Sequence, residues 1–135
     1  MPKIFTATDI QQFDKEVQKD YFDRHTPVID CPSEVNENER FPVRIFLGSQ
    51  YAHPDDGDHF IGKVQLWNRE TLLAEATIFP GAMGNQPGHV EVVFTIIPKV
   101  SMNLTAMSYC TKHGLWQSLP KEVKVNHPDQ QCSKS

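Results

Sequence analysis

The chain has 135 residues and a formal net charge of −4, with 39% hydrophobic and 22% charged residues. Those values fit one domain around one modest core, and the acidic balance, with no basic stripe, excludes an ordinary nucleic-acid-binding surface. No apolar run approaches the roughly 18 residues of a membrane span, and three scattered cysteines without a CxxC pair exclude a disulfide framework and the common cysteine-rich metal modules.

The N-terminus, "MPKIFTATDI", lacks the apolar core of a signal peptide, so the expected compartment is the cytoplasm. Residues 6–22 form the one helical candidate. Thr8 or Asp9 can cap it, and Ile10, Phe13 and Val17 recur at helical spacing. From residue 26 the period changes to two. "FPVRIFLGS" alternates Phe41, Val43, Ile45 and Leu47. "HFIGKVQLW" sets Phe60, Gly62, Val64 and Leu66 on one face and Ile61, Lys63, Gln65 and Trp67 on the other. "TLLAEATIF" follows a short polar turn. "HVEVVFTIIP" alternates Val90, Val92, Phe94 and Ile96, and "VSMNLTAMSYC" alternates Val100, Met102, Leu104, Ala106 and Ser108. "KEVKV" is a last short strand. About seven strands separated by Pro, Gly and Asn turns predict an all-β sandwich. The expected organisation is an N-terminal extension over 1–22, the sandwich over 23–126 and a flexible tail over 127–135.

Six histidines are distributed unevenly. His53 and His59 bracket "HPDDGDH", His25 follows "YFDR", and His113 stands three residues after Cys110 in "YCTKHGLW". His89 starts a strand and His127 lies in the tail. A single histidine is more often structural than a ligand. Four histidines and a cysteine at strand ends are a different case, because the loops of a sandwich cluster at its two ends. If these five converge, a structural zinc site is disfavoured, since it normally takes four ligands. Blue copper wants a smaller His₂Cys set with a weak axial partner. Iron accepts imidazole and thiolate together.

Three blocks, "DRHTPVI", "HPDDGDHFI" and "YCTKHGLW", resemble the signatures of superoxide reductases, the desulfoferrodoxin/neelaredoxin family. They occur in the family's order and span residues 23 to 116. The resemblance implies an immunoglobulin-like sandwich carrying one iron, with His25, His53, His59 and His113 as equatorial ligands and Cys110 as the axial thiolate. The amides of Lys112 and His113 would then donate to the sulfur, Gly114 would reverse the chain, and Leu115 and Trp116 would form an apolar cover. It further implies one-electron reduction of superoxide to hydrogen peroxide, a rubredoxin-like electron donor and a homotetramer, with a homodimer as the alternative. Residues 1–22 hold no cysteine, so the chain resembles the one-iron class. The family pattern has glutamate and lysine before its first histidine, whereas this chain has Asp23 and Arg24. In the family the lysine attracts superoxide and the glutamate closes the ferric site. Arg24 keeps the positive charge, though its planar fork differs from an ammonium. Asp23 is one methylene short, and the expectation is that it stays off the metal.

Asp55, Asp56 and Asp58 crowd a ligand-bearing loop and oppose an anionic substrate, so steering has to be local, from Arg24 and the metal itself, with Lys112 a weaker candidate. Two other functions share the architecture: a non-catalytic metal or interaction module, and a sulfur-carrier subunit. Cys132, in "QQCSKS", lacks the terminal Gly-Gly-Cys arm expected of the second. Copper or zinc in place of iron is left open by the sequence. Cys31 and Cys132 read as ordinary thiols.

Overall fold

A computed structural model describes residues 19–128 of the chain. One short helix, α1 (Lys19–His25), leads into nine strands. These are β1 (Pro27–Asp30), β2 (Glu34–Asn36), β3 (Phe41–Leu47), β4 (Ile61–Asn68), β5 (Thr71–Thr77), β6 (Glu91–Ile96), β7 (Met102–Cys110), β8 (Gly114–Gln117) and β9 (Lys121–Asn126). Most of the helix expected over 6–22 lies outside the described residues. The part that is described continues past residue 22 and delivers Asp23, Arg24 and His25 on its last turn.

The strands form two sheets. The smaller has the order β1-β3-β6 and is antiparallel throughout. The larger runs β2-β9-β7-β4-β5, with β8 paired to the end of β7. A β5-β4-β7-β9 sheet facing a β6-β3-β1 sheet is the strand order of an immunoglobulin-like sandwich. The parallel pairing of β2 with β9 extends the larger sheet. The sequence predicts about seven strands and the structure has nine. β1, β2 and β8 are only three or four residues long, too short to show a period. Their pairing is imposed by longer neighbours.

The alternation in β3 holds: Phe41, Val43, Ile45 and Leu47 all point into the core. In β7, Met102, Leu104, Ala106 and Cys110 do the same. Val100, by contrast, precedes the strand and is exposed. The expected faces of β4 are corrected by a register shift between Ile61 and Lys63. Such a bulge inserts one residue and flips the alternation. Ile61 therefore joins Val64 and Leu66 in the core, while Lys63 faces outward. Among the described residues, no helix is long and apolar enough to cross a membrane.

Candidate metal centre

His25 ends α1, and its ring is buried. Its Nδ1–H donates to the Tyr21 carbonyl at 2.7 Å, one helical turn back. The Ser108 hydroxyl donates to the His25 carbonyl at 2.7 Å, tying the helix end to β7. His53 sits in the loop after β3 and is also buried. Its Nδ1–H donates to the Pro54 carbonyl at 2.7 Å. In both rings the proton is thereby fixed on Nδ1, and Nε2 is left with its lone pair, the tautomer a metal ligand needs.

His59 and Cys110 are brought together by the pairing of β4 with β7. The Thr111 amide donates to the Phe60 carbonyl at 3.0 Å. The Thr111 hydroxyl accepts from the Phe60 amide and donates to the Asp58 carbonyl, each at 3.1 Å. His59 Nε2 is buried with no hydrogen-bond partner. A buried polar atom left unsatisfied is costly, and a metal ligand bond would satisfy this one. Gly114, at φ 81°, turns β7 back into β8 as its left-handed conformation allows.

His25, His53, His59 and Cys110 offer donor atoms that all lie within 4.8 Å of one another. His113 adjoins this set from a more exposed position. Its Nδ1 lies 3.1 Å from His25 Nε2 and 3.7 Å from Cys110 Sγ. The rings form a closed cycle of edge-to-face neighbours. His25–His53, His53–His59, His59–His113 and His113–His25 have centroid separations of 4.9, 4.8, 5.0 and 4.9 Å. Two ligands at right angles on one metal, with bonds of about 2.1 Å for imidazole and about 2.3 Å for thiolate, stand roughly 3 Å apart. The 3.1 Å between His113 and His25 and the 3.3 Å between His53 Nε2 and Cys110 Sγ match that spacing. The donor set therefore fits a single metal ion.

Three of the imidazoles, those of His25, His53 and His59, are shifted toward the neutral form. His25 and His53 are each lowered to about 4, mainly by burial and further by the neighbouring imidazoles, against the opposing pull of their backbone hydrogen bonds. His59 is lowered by burial, then by His113 and Lys112. Neutral imidazoles are the form that binds metal.

The surroundings differ from expectation in three ways. Among the described residues, the sulfur's hydrogen-bonding neighbours are the rings of His53 and His113 and not the amides of Lys112 and His113. Trp116 does cover the site, stacking on His25 at 4.9 Å with its Nε1–H donated to the His113 carbonyl, but Leu115 is exposed. Asp55 does not add negative charge to an open loop. It is buried and accepts the amides of Gly81, Met83 and Asn85 at 2.9–3.0 Å. Burial alone would raise its pKa, but the amides and His53 bring it below the ordinary value. It pins the 80–88 loop, whose Gly88 pairs with His53 through two backbone hydrogen bonds. Asp56 and Asp58 are exposed.

Sequence reasoning missed Tyr21, whose ring packs edge-on to His25, His113 and Trp116. The signal was the spacing of four between Tyr21 and His25, meaningful only once α1 is known to reach residue 25. Arg24 is partly buried, its guanidinium carbon 5.9 Å from the Tyr51 ring centre. His127 lies away from the cluster beside Glu37, at 3.2 Å. Cys31 is partly buried, and burial raises its pKa. Cys132 lies outside the described residues.

The loop bearing His53 depends on Gly48, at φ 80°, where an added Cβ would collide with the Tyr51 carbonyl oxygen. Gly48→Ala is expected to destabilise the fold by about 2 kcal/mol or more. A lower denaturation midpoint in urea checks this.

An immunoglobulin-like sandwich with a His/Cys set gathered at one end defines a mononuclear metalloprotein. The Desulfoferrodoxin family profile matches residues 14–119. Neelaredoxin from Megalodesulfovibrio gigas is 30% identical over 109 residues, covering 71% of this chain and 84% of its own length. A superoxide reductase from Thermococcus kodakarensis is 29% identical over 104 residues, with the same two coverages. The solved superoxide reductase (neelaredoxin) of Ignicoccus hospitalis superposes with a TM-score of 0.63 at 33% identity, covering 76% of this chain and 81% of that one. This chain belongs to the desulfoferrodoxin/neelaredoxin family.

Proposed function

We propose that this chain is a superoxide reductase whose single iron is held by His25, His53, His59, His113 and Cys110. The observation that carries the reading is the closed ring of four imidazoles beside one thiol, at spacings suited to one ion. When bound, the iron supplies one-electron chemistry, by which superoxide, one electron and two protons give hydrogen peroxide. The protein's part is to hold four nitrogen donors and one sulfur in place, and to bring an anion to the uncovered side.

Arg24 is the candidate for that second task. Its charge is close enough to His53 to lower the imidazole's pKa, whereas the chain as a whole carries −4. Local attraction against a repulsive background is screened by salt. Arg24→Ala is expected to slow the bimolecular reaction with superoxide about tenfold at low salt and to flatten its ionic-strength dependence. Arg24→Lys should stay near wild type. A wild-type rate and salt slope in the alanine variant would assign steering elsewhere.

The same reading takes a rubredoxin-like protein as electron donor, a homotetramer as the assembly and the cytoplasm as the compartment. The donor and the assembly are supported by the family resemblance. The reaction is tested by mixing the reduced protein with a superoxide pulse without air. One hydrogen peroxide for each superoxide, and no dioxygen, is the expected stoichiometry. Half that peroxide together with dioxygen would mean dismutation, and unaccelerated decay would mean a non-catalytic module.

A further inference from the structure

We propose that Asp23 is a positioning residue: its carboxylate clamps the loop that delivers His53, instead of serving the metal itself. The inference rests on the metal reading above. In the family resemblance the carboxylate at this position closes the ferric site. Here both of its oxygens are already occupied.

Asp23 Oδ1 accepts the Ser49 amide at 3.1 Å and the Ser49 hydroxyl at 2.7 Å. Oδ2 accepts the amides of Gln50 and Tyr51, each at 2.9 Å. A carboxylate offers about four lone-pair sites, and four donors fill them. Three successive amides facing one anion make a nest, and the anion in it comes from the end of α1. The carboxylate is fully satisfied where it stands.

The chain of consequences is short. Gly48 turns β3 outward, Asp23 holds the next three residues, and two residues beyond Tyr51 comes His53. The Tyr51 ring also lies against Arg24, so one clamp holds both the loop that bears His53 and the partner of Arg24. The shorter acid suits this task, because a glutamate would reach about 1.5 Å further and displace the loop.

The test combines amide hydrogen exchange on the metal-free protein with titration by Co²⁺ well below the unfolding temperature. Asp23→Asn keeps the shape but presents an NH₂ group to amide donors. It should lose protection at Gln50 and Tyr51 and weaken Co²⁺ binding about tenfold, the usual effect of losing a partner that orients a ligand. The cobalt band positions should not move. Ser49→Ala, which removes one of the four bonds, should weaken Co²⁺ about two- to threefold, and Asp30→Asn on the outer sheet face should change nothing. Wild-type Co²⁺ affinity in Asp23→Asn, or a cobalt spectrum shifted as by a lost oxygen ligand, would overturn the clamp. Should Asp23→Asn not fold, unchanged protection and affinity in Ser49→Ala would overturn it equally. Failure of the metal reading looks different: the wild-type protein itself would take up no Co²⁺.

Discussion

Cys110→Ser is expected to abolish the visible thiolate-to-ferric charge-transfer band and to lower the reaction with superoxide more than about a hundredfold. Even partners that merely orient a ligand are worth about 10–100-fold, and Cys110 is proposed as a ligand itself. Its sulfur is fully buried, lies 3.3 Å from His53 Nε2 and is the one sulfur in the donor set. A serine oxygen is smaller, harder and a poorer electron donor. Iron content should fall less than activity, since the imidazoles still hold the ion. Cys31→Ser is the control. That thiol packs against the core away from the cluster, and its removal should leave the spectrum unchanged. A Cys110→Ser protein with its band and activity intact would remove the sulfur from the centre.

Acid should destabilise the metal-free protein steeply between pH 6.5 and about 4. His25 and His53 have folded-state pKa values of about 4 against 6.5 when unfolded. Across that window the unfolded chain takes up protons that the folded one refuses, so stability falls as pH falls. Above pH 6.5 both states are neutral at these sites and the effect vanishes. A shift of 2.5 units, as 6.5 less 4, corresponds to about 2 to 3 kcal/mol for each imidazole by pH 4.5. That is a large part of the total stability of a domain of this size. The iron-loaded protein should resist acid to a lower pH, because the metal binds only the neutral rings and stabilises the fold by mass action. Urea denaturation at pH 7 and pH 4.5, with and without metal, measures both effects. A metal-free protein equally stable at the two values would show that the imidazoles are not packed as described.

The His/Cys cluster was legible in the sequence because its members stand at strand ends. "HPDDGDHFI" and "YCTKHGLW" flank β4 and β7, and the two strands pair so that Ile61 meets Cys110. The core alternation in β3 and β7 was legible for the same reason, a period of two over seven or more residues. The bulge at Ile61/Lys63 was not, since inserting one residue leaves each half of the pattern intact and changes only their phase. Nor could the sequence show that α1 reaches His25. "YFDRH" carries no helical period of its own, and its last turn is held by contacts to β7 and to the 48–53 loop. The roles of Asp23 and Asp55 were hidden at the same level. Each carboxylate binds three or four groups from a loop more than 20 residues away, as with Ser49 at a separation of 26, and no local pattern records such a contact.

On the proposed reading, five side chains from three separate blocks gather one iron. X-ray absorption at the iron edge of the oxidised protein, with metal analysis of the same sample, tests it most directly. One iron per chain with four nitrogen neighbours and one sulfur is the expected result. A sample without iron, or an iron lacking the sulfur neighbour, would contradict it.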